Sequence, residues 1–297
     1  MAKQDKQLVE ELSACVGGRK WFEERYGEDA DVPLAEVWAA IPHDDWRPIL
    51  LSRSPDLTSA LLAIGADIDA RNRDRQTALM LATLSGHGDV VERLLDRGAD
   101  IDARDRDGQT ALMRASWHGH GDVVELLLNR GADVDAQSRD GHTALMLAAW
   151  RGAVNVVARL IDHGADVDAR NYWRQTALML AMMGGDVAIV DMLLDRGAGV
   201  DARNKCGVTA LLTAAWRGDV AMVDMLLDRG ADVDAQDEDG QTALMMAAWG
   251  GHADVVSRLL DHGAYVYARD RWRQTALMLA TRFGHDDVAA RLRAAGA

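Results

Sequence analysis

The side chains in this 297-residue sequence that lend themselves to chemistry are few in kind and repetitive in placement. Aspartates come in pairs two residues apart, at Asp67/Asp69, Asp100/Asp102, Asp133/Asp135, Asp166/Asp168 and Asp232/Asp234. Paired carboxylates can chelate Ca²⁺, but this spacing lacks the oxygen count of an EF-hand loop, so the pairs read as solvated turn carboxylates. His87, His120, His252 and His285 recur at one offset, and no carboxylate or cysteine pattern around them or around His118 supports a metal site. Cys15 and Cys206 fit no metal or redox spacing. There is no glycine-rich phosphate loop, no Gly-x-Ser-x-Gly elbow and no Cys–His pair placed by a recognisable motif. The sequence therefore predicts no catalytic residue, no metal and no cofactor. What remains is aromatic: nine Trp and four Tyr against two Phe. Tryptophan and arginine are the residues most enriched at binding hot spots, so the chemistry on offer is recognition.

The totals bound the class of partner. A formal net charge of −14 repels phosphate backbones over most of the surface and argues against nucleic acid. A hydrophobic fraction of 48% is ample for a buried core. No apolar run approaches the roughly 18 residues needed to span a bilayer, and the opening MAKQDKQLVEELSACVGG is too polar for a secretory signal. The expectation is a soluble, monomeric cytoplasmic protein that contacts neither membrane nor nucleic acid.

The elements that must position these residues repeat at a fixed step. A Thr-Ala-Leu motif begins at Thr77, Thr110, Thr143, Thr176, Thr209, Thr242 and Thr275, each 33 residues after the last. Gly-Ala recurs at the same step from Gly65 to Gly296 and starts one unit earlier. Within each unit the threonine can cap a first helix built from strong helix formers such as Ala78-Leu79-Met80-Leu81-Ala82. Gly86 to Asp89 breaks that helix, with Asp89 placed to cap the next. Val90, Val91, Leu94 and Leu95 then line one face at helical spacing, and Gly98 stops the second helix. The stripe Met80, Met113, Met146, Met179, Leu212, Met245 and Met278 predicts packing between units, because methionine fills irregular core gaps.

A 33-residue helix–turn–helix unit carrying Thr-x-Leu-x-x-Ala, Gly-His, Val-Val, Leu-Leu and Gly-Ala-Asp-Val resembles the ankyrin repeat. The resemblance covers about 250 residues, with Ala in place of the family's usual Pro after Thr and Met usually in place of its His. It implies an all-α solenoid of stacked helix–turn–helix units joined by β-turn or hairpin-like loops. The predicted organisation is a helical N-terminal extension over 1–40 and a repeat domain over 41–297. That domain comprises a degenerate cap at 41–71 and repeats at 72–104, 105–137, 138–170, 171–203, 204–236, 237–269 and 270–297. The extension is expected to hold a helix around Leu8 to Val16, then Trp21 to Tyr26, and a second helix opening after Pro33.

The resemblance also implies which positions face a partner: the turn just before the threonine and the two residues ending the first helix. The seventh residue after Thr is Leu84, Trp117, Trp150, Met183, Trp216, Trp249 and Arg282, and the eighth includes His118, Arg151, Arg217 and Phe283. Trp173 and Trp272 stand three residues before Thr, and one residue earlier come Arg73, Arg106, Arg139, Tyr172, Lys205, Glu238 and Arg271. All six tryptophans of the repeat region thus occupy presentation positions. Basic residues outnumber acidic ones there, and Arg75, Arg174 and Arg273 stand where other units keep a turn glycine, implying a changed or strained backbone. The expected function is capture of a protein or peptide with apolar anchors and acidic groups, as a scaffold, inhibitor or effector. Two other readings are a structural tryptophan ladder, and a small-ligand receptor or enzyme using the tryptophans as an aromatic pocket with Asp140 or Asp239 as charge partners.

Overall fold

The computed structural model describes residues 34–40 and 46–297. The helices anticipated around Leu8 to Val16 and Trp21 to Tyr26 lie outside the described residues. Among the described residues there are seventeen α-helices and no strand, the all-α architecture that the resemblance implies. The chain divides into two compact units, 1–140 and 141–297.

The first unit contains α1 (Leu34–Ala40), α2 (Trp46–Leu51), α3 (Pro55–Ala63), α4 (Ala78–Leu84), α5 (Gly88–Asp96), α6 (Ala111–His118) and α7 (Gly121–Asn129). The helix expected after Pro33 is α1, whose Val37 and Trp38 are buried. The degenerate unit is the pair α2 and α3, and its Leu50, Leu51, Leu57 and Leu61 are buried. Helices α4 and α6, the first helices of two successive repeats, pack side by side, and each packs on the second helix of its own repeat.

The second unit contains α8 (Ala144–Arg151), α9 (Val154–Asp162), α10 (Ala177–Gly184), α11 (Val187–Asp195), α12 (Ala210–Arg217), α13 (Val220–Asp228), α14 (Ala243–Gly250), α15 (Ala253–Asp261), α16 (Ala276–Phe283) and α17 (Asp286–Ala294). Helix α8 packs on α10, α12 on α14 and α14 on α16. The short alanines beneath the threonine motif allow this close approach: Ala177, Ala210 and Ala243 are each 1% exposed.

Sequence and geometry agree on the first helix of each repeat. The threonine hydroxyl accepts from the amide three residues on, at 3.3–3.4 Å for Thr77, Thr110, Thr143, Thr209, Thr242 and Thr275. Thr176 is the exception: its hydroxyl is buried without a partner. The methionine stripe is buried at Met80, Met113, Met146, Met179, Leu212 and Met245. Met278 departs from it at 51% exposure, because among the described residues no further first helix stacks on α16.

Two expectations are corrected, and a third, a changed or a strained backbone at the turn arginines, is narrowed to strain. Asp89 does not cap α5; His87 holds the N-cap position, and the Asp89 carboxylate accepts instead from the neighbouring Val90 amide at 2.9 Å. Where aspartate stands at the position of His87 it does cap: Asp186 accepts from Ala188 and Ile189, and Asp219 from Met222. Histidine at this position reaches back one repeat instead. Nε2 of His120 donates to the Leu84 carbonyl at 3.2 Å, and His252 and His285 donate to those of Trp216 and Trp249 at 3.0 Å.

Second, the aspartate pairs, exposed apart from the half-buried Asp69 and Asp102, are not idle. The first carboxylate folds its own turn, as Asp100 accepts from the Asp102 amide at 3.2 Å. The second ties adjacent repeats: Asp69, Asp102, Asp168, Asp201 and Asp234 each accept a backbone N–H lying 31 residues ahead, at 2.8–3.1 Å. Tyr265 and Tyr267 replace the last pair, and the Tyr267 hydroxyl donates to the Gly296 carbonyl.

Third, the arginines at the turn do not change the backbone. Arg75, Arg174 and Arg273 adopt φ of 61°, 58° and 62°, the left-handed conformation that Gly108, Gly141, Gly207 and Gly240 adopt elsewhere. The same turn hydrogen bond forms in both cases, from Arg174 to the Asn171 carbonyl at 2.8 Å and from Gly207 to that of Asn204 at 3.0 Å. The arginines therefore carry the strain of a side chain in left-handed backbone, about 1–2 kcal/mol each.

Candidate partner-binding surface

Two rows of positions arise from this architecture. One is the C-terminal end of each first helix. The other is the turn tip that precedes each threonine; at all of them except the tip at Ser138, an Asp or Asn side chain accepts from the amides two and four residues on. Asp237, for example, accepts from Asp239 and Gln241 at 2.9 and 2.8 Å. Successive tips are joined by one backbone bond each: Arg106 to Asp74 and Arg139 to Asp107 in the first unit, and Lys205 to Trp173, Glu238 to Cys206 and Arg271 to Asp239 in the second.

In the first unit Trp117 is half-buried, and His118 stands exposed beside it with its ring stacked on His120 at 6.0 Å. Arg106 and Arg139 are exposed at the tips. Arg106 lies 3.7 Å from Asp74 of the preceding tip.

In the second unit the helix-end row is open and apolar. Trp150 is 42% exposed, Met183 48%, Trp216 58%, Trp249 42% and Phe283 45%. Trp249 packs against Phe283, with ring centroids 5.8 Å apart, whereas Trp216 has no ring partner among the described residues. The row is therefore not a continuous tryptophan ladder. Arg151 and Arg217 flank it, both exposed. Arg217 has a structural task as well: its guanidinium donates to the Met183 carbonyl at 3.2 Å. That bond replaces the histidine bridge where Asp219 stands in the histidine's position. The side chain can lie there because Gly185 has none; a Cβ on Gly185 would sit 3.2 Å from the Arg217 guanidinium.

The tip row of the second unit holds Tyr172 and Trp173 in one turn and Arg271 and Trp272 in another. These rings are exposed but not bare. Trp173 meets Tyr172 edge-on at 5.8 Å and His142 at 5.7 Å. Lys205 of the next tip sits over the Tyr172 ring at 3.4 Å, and Arg271 over its neighbour Trp272 at 5.1 Å. Arg271 also pairs with Asp239 at 2.6 Å, which raises its already high pKa through the hydrogen bond and the charge of that carboxylate. The basic excess read from the sequence is thus partly neutralised along the row. The interturn backbone bonds bring an aspartate of one tip beside an arginine of the next, a pairing that a residue count does not reveal.

The structure adds His142, which backs Trp173 through a contact that depends on the turn geometry, and it shows that Met183, at the tryptophan offset, continues the apolar row.

Models of ankyrin repeats match residues 50–138, 145–237 and 211–297, and a further ankyrin-repeat model matches 122–160. A comparison with curated protein sequences returned no match. Among solved structures, the crystal structure of the ankyrin repeat domain of Bcl-3, a unique member of the IkappaB protein family, is similar. Its identity is 33% and its TM-score 0.66, over 74% of this chain and 100% of that one. Among the described residues no helix is long and apolar enough to cross a membrane.

Proposed function

The chain belongs to the ankyrin-repeat family, whose repeats generally mediate protein–protein interaction, and we propose that it captures a segment of another protein on the tryptophan-bearing face of residues 141–297. The observation that carries this reading is the row Trp150, Met183, Trp216, Trp249 and Phe283, every member at least 42% exposed on helices whose other large apolar residues are mostly buried. Burying a large apolar side chain is worth roughly 1.5–3 kcal/mol, so leaving five in water on successive repeats forgoes stability that the fold could have used. Apolar strips of this kind mark interaction sites.

The partner should bring apolar side chains to the tryptophans and carboxylates to Arg151, Arg217 and the tip cations. The second unit supplies Tyr172, Trp173, Arg271 and Trp272 at the tips as secondary contacts, and the first unit supplies Trp117, His118, Arg106 and Arg139 as its own. The role is that of a cytoplasmic, monomeric scaffold, inhibitor or effector with no catalytic step of its own. The test is affinity capture by wild type and by the triple variant Trp150→Ala, Trp216→Ala, Trp249→Ala, with bound proteins identified by mass spectrometry. A control variant, Asp191→Ala, alters the second-helix face. A protein retained by wild type and control but lost by the triple variant is the expected result. Equal capture by all three would overturn the proposal.

A further inference from the structure

Two turn tips of the second unit are near copies of one another. Residues 171–176 read Asn-Tyr-Trp-Arg-Gln-Thr and residues 270–275 read Asp-Arg-Trp-Arg-Gln-Thr. In both, the tryptophan is exposed, at 44% for Trp173 and 56% for Trp272. In both, the next residue is an arginine held at positive φ, 58° at Arg174 and 62° at Arg273. Both arginine side chains are exposed, and among the described residues neither guanidinium has a hydrogen bond or an ion pair. The intervening tips keep glycine at this position, at Gly207 and Gly240, and carry no tryptophan.

At the turn itself an arginine with no hydrogen bond or ion pair adds nothing that glycine would not, because glycine forms the same turn without the strain. Where an exposed tryptophan precedes it, as at Trp173 and Trp272 but not at Asp74, the pair offers a ligand both a cation and an apolar face. A solvated guanidinium one residue after an exposed indole suits a carboxylate next to an apolar side chain. Between the two tips stand Lys205 and then Glu238 and Asp239, the last paired with Arg271, so Glu238 is the unneutralised acid that disfavours one continuous acidic segment. The backbone bonds from Lys205 to Trp173, Glu238 to Cys206 and Arg271 to Asp239 tie the tips into a row, which holds the two sites at a fixed separation. Three steps of packed helices at about 8–10 Å each put them roughly 24–30 Å apart.

We propose that Trp173–Arg174 and Trp272–Arg273 are two equivalent docking points for a protein that presents the same short acidic–apolar motif twice, joined by a spacer that is not acidic. The proposal rests on the partner-binding reading above and deepens it. Engagement at both points makes the second contact intramolecular, which raises overall affinity by about 10²–10⁴-fold without any new contact type. The tip at Arg75 in the first unit is a natural control: it has the same strained arginine, at φ 61°, but Asp74 in place of tryptophan.

The test begins with selection of a displayed library of random twelve-residue peptides on the full-length protein. Selected peptides are then measured as single copies and as tandem copies joined by a Gly/Ser linker of about 25 residues, whose mean end-to-end distance is about 25–30 Å. The variants are Arg174→Gly, Arg273→Gly and Arg75→Gly. The expected peptides pair acidic with apolar residues, and the tandem form binds at least about a hundredfold more tightly than the single copy. Either Arg174→Gly or Arg273→Gly alone returns the tandem peptide to single-copy affinity, with a melting temperature no lower than wild type, while Arg75→Gly leaves binding unchanged. A tandem peptide with no advantage, binding indifferent to Arg174→Gly and Arg273→Gly, or no selected binder at all would overturn the proposal. If selected binders ignore these arginines but are lost in the Trp150, Trp216 and Trp249 triple variant, bivalent docking fails and the wider binding role stands. Binders indifferent to both sets of changes would end both.

Discussion

Replacing Gly218 with alanine tests how the repeats are stitched beneath the tryptophan row. Gly218 closes α12 with φ of 74°, and a Cβ built there would lie 2.4 Å from Nδ1 of His252. That ring is the one whose Nε2 donates to the Trp216 carbonyl at 3.0 Å. The substitution therefore acts twice. It places a side chain in left-handed backbone, a penalty of about 1–2 kcal/mol. It also drives the imidazole off the carbonyl, forfeiting a hydrogen bond worth about 1 kcal/mol. Gly230→Ala supplies the reference, since Gly230 has φ of 83° and open space where its Cβ would be. The difference between the two variants isolates the histidine bridge, and at about 2–4 °C per kcal/mol Gly218→Ala should melt about 2–4 °C below Gly230→Ala. Thermal unfolding followed by far-UV circular dichroism reads this directly. In a His252→Ala background the gap should close, as a double-mutant cycle requires. Equal melting of the two glycine variants in the wild-type background would refute the assigned role of His252.

Two further perturbations follow from buried polar groups. In the first unit Arg114 forms an ion pair with Asp105, with side-chain exposures of 13% and 2%, so Arg114→Leu strands a buried carboxylate and should destabilise by about 3–5 kcal/mol. Adding Asp105→Asn should restore most of that loss, because Asn72 with Leu81 and Asn171 with Leu180 already occupy the matched positions; denaturant titration of the single and double variants checks this. The Thr176 hydroxyl is buried without a partner whereas that of Thr209 caps its helix, so Thr209→Val should cost about 1 kcal/mol and Thr176→Val should be neutral or stabilising in the same titration. A larger loss at Thr176 than at Thr209 would contradict the capping assignments.

The parts of this molecule legible in its sequence are those written in side chains at a fixed period. The threonine caps, the buried Val-Val and Leu-Leu faces and the methionine stripe follow from residue type and helical spacing alone. The placement of Trp150, Trp216 and Trp249 at first-helix ends was legible too, but whether they stack or stand open was settled only by the structure. What was not legible involves a backbone group as partner or a neighbour one repeat away. Asp69 and Asp234 read as solvated carboxylates because their partners are main-chain amides, which have no sequence signature. His252 and Arg217 serve the same purpose, bonding the carbonyl that ends the preceding first helix, yet differ in type and position. The Asp74–Arg106 and Asp239–Arg271 pairs, each 32 residues apart, depend on successive turn tips lying side by side. The exposure of Met278 reflects what stacks on the final first helix rather than the residue itself.

The claim that the tryptophan row of residues 141–297 holds a protein partner is tested most directly by titration calorimetry of a captured partner against wild type and against the single variants Trp150→Ala, Trp216→Ala and Trp249→Ala. At about 2 kcal/mol for each hot-spot tryptophan, at least one variant should weaken binding about thirtyfold while melting as wild type does. Three variants that all bind with wild-type affinity would contradict the account.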